Sequence, residues 1–361
     1  MNMYEYYENQ ESSNQINHQS YTMSPLLGTK NRDSFLSNTY YLSLINWENP
    51  DDPIRRLVIP SDEEQEAWGS EDPSNEAEYM PVCGLQHKYP STALMLISNR
   101  CASICRYCFR KRIFQKNHLE KILDYDQVFA YLLQHEEVSN VLLSGGDPLM
   151  LPTRKLDRIL TRLRAIDHID LIRIGSKIPA FLPQRILNDD TLLRMLKRHS
   201  TSEKRIYLIA HFTHPCELTP EAMACLDRLT ANRVVILNQC PLIRGVNDKP
   251  ETLLQLYRQL AATGVQPYYL FQCRPARGNR HFTVPLETGM QILNQVQAES
   301  SGLVKRARYV MSHVTGKIEM VGLTDTHAIL KYWRAAKRED SNKIMLFKRN
   351  PNACWLEDYQ S

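Results

Sequence analysis

Cys101-Ala-Ser-Ile-Cys105-Arg-Tyr-Cys108-Phe-Arg110 gathers three thiols within eight residues, at CxxxCxxC spacing with an aromatic residue just before the last cysteine. Three thiolates on one tight loop suit three corners of a four-iron four-sulfur cube and leave the fourth iron open. A molecule carrying both an amine and a carboxylate can chelate that iron. Zinc on this loop would need a fourth Cys or His at recognisable spacing, and none lies nearby. Unliganded core cysteines are the other alternative. Cys83, Cys216, Cys225, Cys240, Cys273 and Cys354 show no ligand spacing. The total of nine is odd, and the first thirty residues contain no apolar signal stretch. Reduced thiols and a cytoplasmic location are therefore expected.

The loop directly follows an apolar run, Leu94–Ser98. Similar short runs bounded by turn residues recur at Val141–Ser144, Leu171–Ile174, Ile206–His211, Val234–Asn238 and Tyr268–Gln272, and each predicts a strand. Between them, stretches such as Lys155–Ala165 and Thr219–Thr230 repeat apolar residues at helical spacing. Alternating strands and helices imply an α/β fold with a parallel sheet, either curved into a partial barrel of six units or opened into a doubly wound sheet. In both, chemistry collects at the carboxyl ends of the strands. Polar clusters fall there: Ser144-Gly145-Gly146-Asp147, Gly175-Ser176-Lys177, His211-Phe-Thr-His214, Asn238-Gln239 and the segment from Cys273 to Gly278.

Working further outward, residues 1–32 are polar and predict a disordered tail. Residues 33–90 predict a helical cap, with a helix near Ser61–Trp68 opened by a Ser61/Glu64 capping box. The barrel is expected over 91–300 and a C-terminal extension over 301–361, with a helix-like stretch His327–Arg338 and a strand-like Ile344–Phe347. The 361 residues are 43% apolar and carry a net charge of +4 from 44 basic and 40 acidic side chains. That balance points to no nucleic acid, and no run approaches the roughly 18 apolar residues of a membrane span.

The cysteine spacing, followed at the end of the next strand by Ser144-Gly145-Gly146-Asp147, resembles the radical S-adenosylmethionine superfamily. The resemblance implies a partial (β/α)6 barrel with an iron-sulfur cluster on Cys101, Cys105 and Cys108. It implies S-adenosylmethionine contacts at Ser144, Gly145, Gly146, Asp147, Ser176 and His211. Reductive cleavage of that cofactor would give a 5′-deoxyadenosyl radical, with the electron from a donor such as flavodoxin or ferredoxin.

Further segments narrow the likeness: Asp52-Pro-Ile-Arg-Arg-Leu-Val-Ile-Pro60, Tyr89-Pro90, Arg173-Ile-Gly-Ser176, His211-Phe-Thr-His-Pro215, Leu242-Ile-Arg-Gly-Val-Asn-Asp248 and Gly264-Val-Gln-Pro-Tyr-Tyr269. Together they resemble the lysine 2,3-aminomutase family over about residues 40–320. The resemblance implies pyridoxal phosphate joined to Lys317, with Tyr89 and Gln239 lining its pocket, and Arg110 on the substrate α-carboxylate. His211 and His214 are read as pocket residues, with no second metal.

Three departures are visible. Thr92 stands where the family has a phosphate-binding arginine, a gap that Lys88 could offset in charge. Gly316 is a single glycine where the family has several, with two residues fewer. Arg274 and Ser312 replace the two aspartates that hold the lysine side chain. Arg274, with Arg277 or Arg280, is therefore expected to hold an acidic group on an amino-acid-like substrate, unless it turns out to solvent. Three readings stand: an aminomutase-like isomerase, a radical enzyme without pyridoxal phosphate, and a non-catalytic iron-sulfur or zinc protein. With only Cys354 in the tail, a zinc-linked tetramer is not expected; a homodimer remains open.

Overall fold

All six apolar runs form strands in the computed structural model, which describes residues 35–114 and 120–360. The expected 1–32 tail lies outside the described residues. Among the described residues eleven strands follow one another in a single sheet in chain order. They are β1 Leu85–Tyr89, β2 Thr92–Ser98, β3 Asn140–Gly145, β4 Leu171–Ser176, β5 Ile206–Ala210, β6 Val234–Leu242, β7 Gln266–Gln272, β8 Arg308–His313, β9 Gly316–Leu323, β10 His327–Ala335 and β11 Ile344–Lys348. Strands β2 to β8 are parallel, whereas β1 and β9 to β11 join antiparallel.

The sheet curls strongly. Strands β2 and β10 are eight places apart, and a flat sheet would separate them by about 38 Å at roughly 4.8 Å per strand. Yet the Arg334 guanidinium on β10 donates to Thr92 Oγ1 on β2 at 2.9 Å. Lys88 Nζ on β1 likewise reaches the His313 carbonyl at the end of β8, at 2.7 Å. The partial barrel is thus wound until its two edges approach.

Crossover helices cover the outside. The helix Thr153–Arg164 buries Leu156, Ile159, Leu160 and Leu163, one stripe at spacings of three and four. Each such side chain contributes about 1.5–3 kcal/mol on leaving water. Thr219 caps Pro220–Ala231 by accepting from the Ala222 N–H at 3.1 Å, and proline occupies the first turn, where its missing N–H is no loss.

Three expectations need correction. His327–Arg338 is not helical: Ala328, Leu330 and Tyr332 are buried in alternation, and this period of two makes β10 a strand. The capping box at Ser61 and Glu64 is present, but it opens only a 3-10 turn, Asp62–Gln65. Soon after it Gly69 adopts φ +73°, where an added Cβ would stand 1.9 Å from the Pro275 carbonyl oxygen. The cap is also less helical than expected, with short helices Thr39–Leu42 and Pro53–Val58, and its Leu85–Tyr89 segment belongs to the sheet as β1. Among the described residues no helix is long and apolar enough to cross a membrane.

Candidate active site

The cysteine loop leaves the carboxyl end of β2 and is braced by the cap. Ile104 N donates to the Leu36 carbonyl and Arg106 N to the Leu57 carbonyl, both at 2.8 Å. Arg106 also clasps Glu64 through Nε at 2.8 Å and a terminal nitrogen at 2.6 Å, with both side chains buried. None of Cys101, Cys105 and Cys108 is in a disulfide. Burial pushes their thiols up, Cys105 to about 12, so a metal must displace protons to bind. Three thiols held on one braced loop are a donor set that fits an iron-sulfur cluster.

The glycine turn after β3 packs against the base of this loop. Gly146 N donates to the Ser98 carbonyl and Asp147 N to the Arg100 carbonyl, each at 2.7 Å. A Cβ on Gly145, whose φ is +116°, would stand 2.2 Å from Ser98 O, and one on Gly146 would stand 2.5 Å from Arg100 O. Both glycines are required by this approach. Asp147 is buried, accepting from Ser176 Oγ at 2.8 Å and Lys177 N at 2.8 Å; burial raises its carboxyl to about 6 against those bonds. Gly146, Asp147 and Ser176 are therefore tied by hydrogen bonds to one another or to the base of the cysteine loop, with Ser144 just before them.

Arg110 joins Ser144 to the cap. It donates to Ser144 Oγ at 3.0 Å, and to Glu76 through Nε at 3.0 Å and a terminal nitrogen at 2.6 Å. These bonds use three of its five N–H donors and leave two for a ligand carboxylate. Arg112 grips the same carboxylate at 2.7 Å. Burial alone would raise the Glu76 carboxyl, but Arg110, Arg112 and Arg274 hold it down to about 2. Glu76 was missed from sequence; it sits in a polar Ser-Asn-Glu-Ala-Glu segment with no local sign of its partners.

Arg274 turns inward. Its guanidinium lies 3.6 Å from the centre of the Phe109 ring and bonds Ser74 Oγ, and burial lowers it to about 10 against the pull of Glu76. Arg277 and Arg280 instead face outward, pairing with Glu71 at 3.2 Å and Glu66 at 4.0 Å, away from the role considered for them.

Lys317 is the second residue of β9, in register with Ser312 on β8 and Arg334 on β10. Its amine lies 4.4 Å from the centre of the Tyr269 ring. Burial, then the nearby charges of Arg173, Arg334, Arg274 and Lys88, push it well below the ordinary lysine range. Tyr89 faces the same space: Arg334 lies 4.4 Å over its ring, and burial raises its phenol to about 12. Gln239 donates from Nε2 to His211 Nε2 at 2.8 Å, and burial next to Lys177 lowers His211 to about 3, keeping it neutral. His214 diverges from His211, using Nδ1 to accept from Cys216 N at 3.2 Å. An amine whose pKa is pushed down and which is surrounded by cations suits attachment to an aldehyde that carries an anionic arm, so the residues present fit pyridoxal phosphate.

Residues 95–257 match the Radical SAM superfamily. The chain is 50% identical to "Putative L-lysine 2,3-aminomutase" of Aquifex aeolicus (strain VF5), over 90% of this chain and 87% of that protein. It is 38% identical to L-lysine 2,3-aminomutase of Fusobacterium nucleatum subsp. nucleatum, over 73% of this chain and 61% of that one. Glutamate 2,3-aminomutase of Clostridioides difficile (strain 630) is 33% identical over 73% and 62%. A braced cysteine loop, a glycine turn folded against it and matches of this extent make the chain a radical SAM enzyme belonging to the lysine 2,3-aminomutase family.

Proposed function

We propose that the protein opens S-adenosylmethionine reductively at a cluster on Cys101, Cys105 and Cys108, and catalyses a 1,2-amino shift on an amino acid whose side chain ends in an anionic group. The observation that carries this reading is Lys317: a lysine whose charged form is disfavoured by burial and four neighbouring cations, in the same barrel that presents Arg110 and Arg274. Pyridoxal phosphate, when bound there, supplies the carbonyl carbon that holds the migrating nitrogen. Lys317 anchors it, and Tyr89 and Gln239 line its surroundings.

Arg110 binds the α-carboxylate with the donors that Glu76 and Ser144 leave over, and Glu76 fixes the plane of that guanidinium. Arg274, stacked on Phe109, meets the far end of the substrate. An ammonium there would face a fixed like charge, which disfavours lysine. An external low-potential donor such as flavodoxin or ferredoxin provides the electron.

The test is anaerobic turnover of the reduced, iron-loaded protein with S-adenosylmethionine and either glutamate, aspartate or lysine. The expected result is 5′-deoxyadenosine together with a β-amino acid from an acidic substrate, and loss of the amino shift in Lys317→Ala. Lysine turned over as well as the acidic amino acids would overturn the substrate class. Release of 5′-deoxyadenosine with no amino shift, unchanged in Lys317→Ala, would overturn the reaction.

A further inference from the structure

Three half-buried basic side chains of the barrel have no acidic partner. Arg173 on β4 donates from Nε to Asn140 Oδ1 at 3.0 Å, Arg334 on β10 donates to Thr92 Oγ1 at 2.9 Å and Ser91 Oγ at 3.3 Å, and Lys317 lies against Tyr269 and Phe271. Among the described residues no carboxylate forms an ion pair with any of the three. They act on one another: Arg173 and Arg334 both press on Lys317, and Arg334 presses on Arg173. Gathering like charges where water reaches them only in part is unfavourable unless an anion offsets them. Two guanidiniums, with the Ser91 and Thr92 hydroxyls as neutral donors, match the several acceptor oxygens of a phosphate monoester dianion.

We infer that Arg334 and Arg173 form a phosphate-monoester site in the barrel, in which Arg334, carried on the C-terminal extension, reaches across to Thr92 and supplies the guanidinium that position lacks. The assignment of this phosphate to pyridoxal phosphate rests on the function proposed above; the site itself rests on the cation geometry. A helix over His327–Arg338 would not have placed Arg334 beside Thr92. The strand does so through its register, which pairs Arg334 with Lys317.

Equilibrium binding to cofactor-free protein separates the two, with pyridoxal phosphate, pyridoxal and inorganic phosphate as probes, read by absorbance and calorimetry. Wild-type protein should bind pyridoxal phosphate more tightly than pyridoxal, and inorganic phosphate should compete. Arg334→Gln should weaken pyridoxal phosphate by about 10- to 100-fold, the usual range for a charged hydrogen bond, and change pyridoxal far less. Arg334→Lys should lose less. Adding Thr92→Arg to Arg334→Gln should restore affinity, a rescue that a misfolded variant could not show. If Arg334→Gln binds pyridoxal phosphate and inorganic phosphate with wild-type affinity, the inference is overturned. If wild-type protein binds inorganic phosphate through Arg334 but binds no pyridoxal phosphate, the phosphate site stands and the cofactor reading falls. Binding of none of the probes would overturn both.

Discussion

The two ends of the site treat charge in opposite ways. Around the cysteine loop three buried guanidiniums each have a carboxylate: Arg106 with Glu64, Arg110 with Glu76, and Arg112 with Glu76 and Glu120, all within 2.7 Å, while Arg274 on Phe109 bonds Ser74 instead. Around Lys317, Arg173, Arg334 and the lysine itself find only hydroxyls, an amide and aromatic rings. The first region is complete as protein and holds a geometry. The second is left positive and is completed by an anion.

The largest test of the first region is chemical. Cys105→Ala should lower iron after anaerobic reconstitution from about four atoms per chain to near none, measured by iron analysis. Next in size, Glu76→Gln leaves Arg110 and Arg112 buried without their counter-charge. Breaking a buried pair from one side should lower unfolding stability by about 3–5 kcal/mol in denaturant titration. The same carboxylate makes a pH prediction. Its folded value near 2 lies below the ordinary 4.5, so its contribution is present above about 4.5 and lost as pH falls toward 2. In Glu76→Gln that part of the acid limb should be absent; an unchanged limb would contradict the assignment.

The second region should respond in reverse. Inorganic phosphate at a hundred times its dissociation constant should stabilise the cofactor-free protein by about 2.7 kcal/mol, and Arg334→Gln should abolish most of the gain. Smallest of all, Arg334→Gln without any ligand should change unfolding stability by less than about 1 kcal/mol, since it removes repulsion along with a hydroxyl contact. It should also raise the pKa of Lys317, moving the pH profile of pyridoxal attachment toward alkaline values.

Much of the balanced region was legible in the sequence, because its determinants are local: cysteines within eight residues and glycines at one strand end. The six apolar runs between turn residues were legible as strands for the same reason. Glu76 was not, since it bonds arginines 34 and 36 residues away. Arg334 was still less visible, with its Thr92 partner 242 residues distant and its own segment rich enough in apolar residues to read as a helix. Arg274, Arg277 and Arg280 share one local context, and only the fold shows the first turned inward and the others outward. The single glycine before Lys317 also has its reason in packing: a Cβ on Gly316 would stand 2.2 Å from the Arg334 carbonyl oxygen.

The most direct test of the central claim is to load anaerobic, iron-containing protein with pyridoxal phosphate, reduce it with borohydride and map the modified peptide. The account predicts one pyridoxyl group per chain on Lys317, lost in Lys317→Ala. A label scattered over surface lysines, or equal labelling in Lys317→Ala, would contradict it.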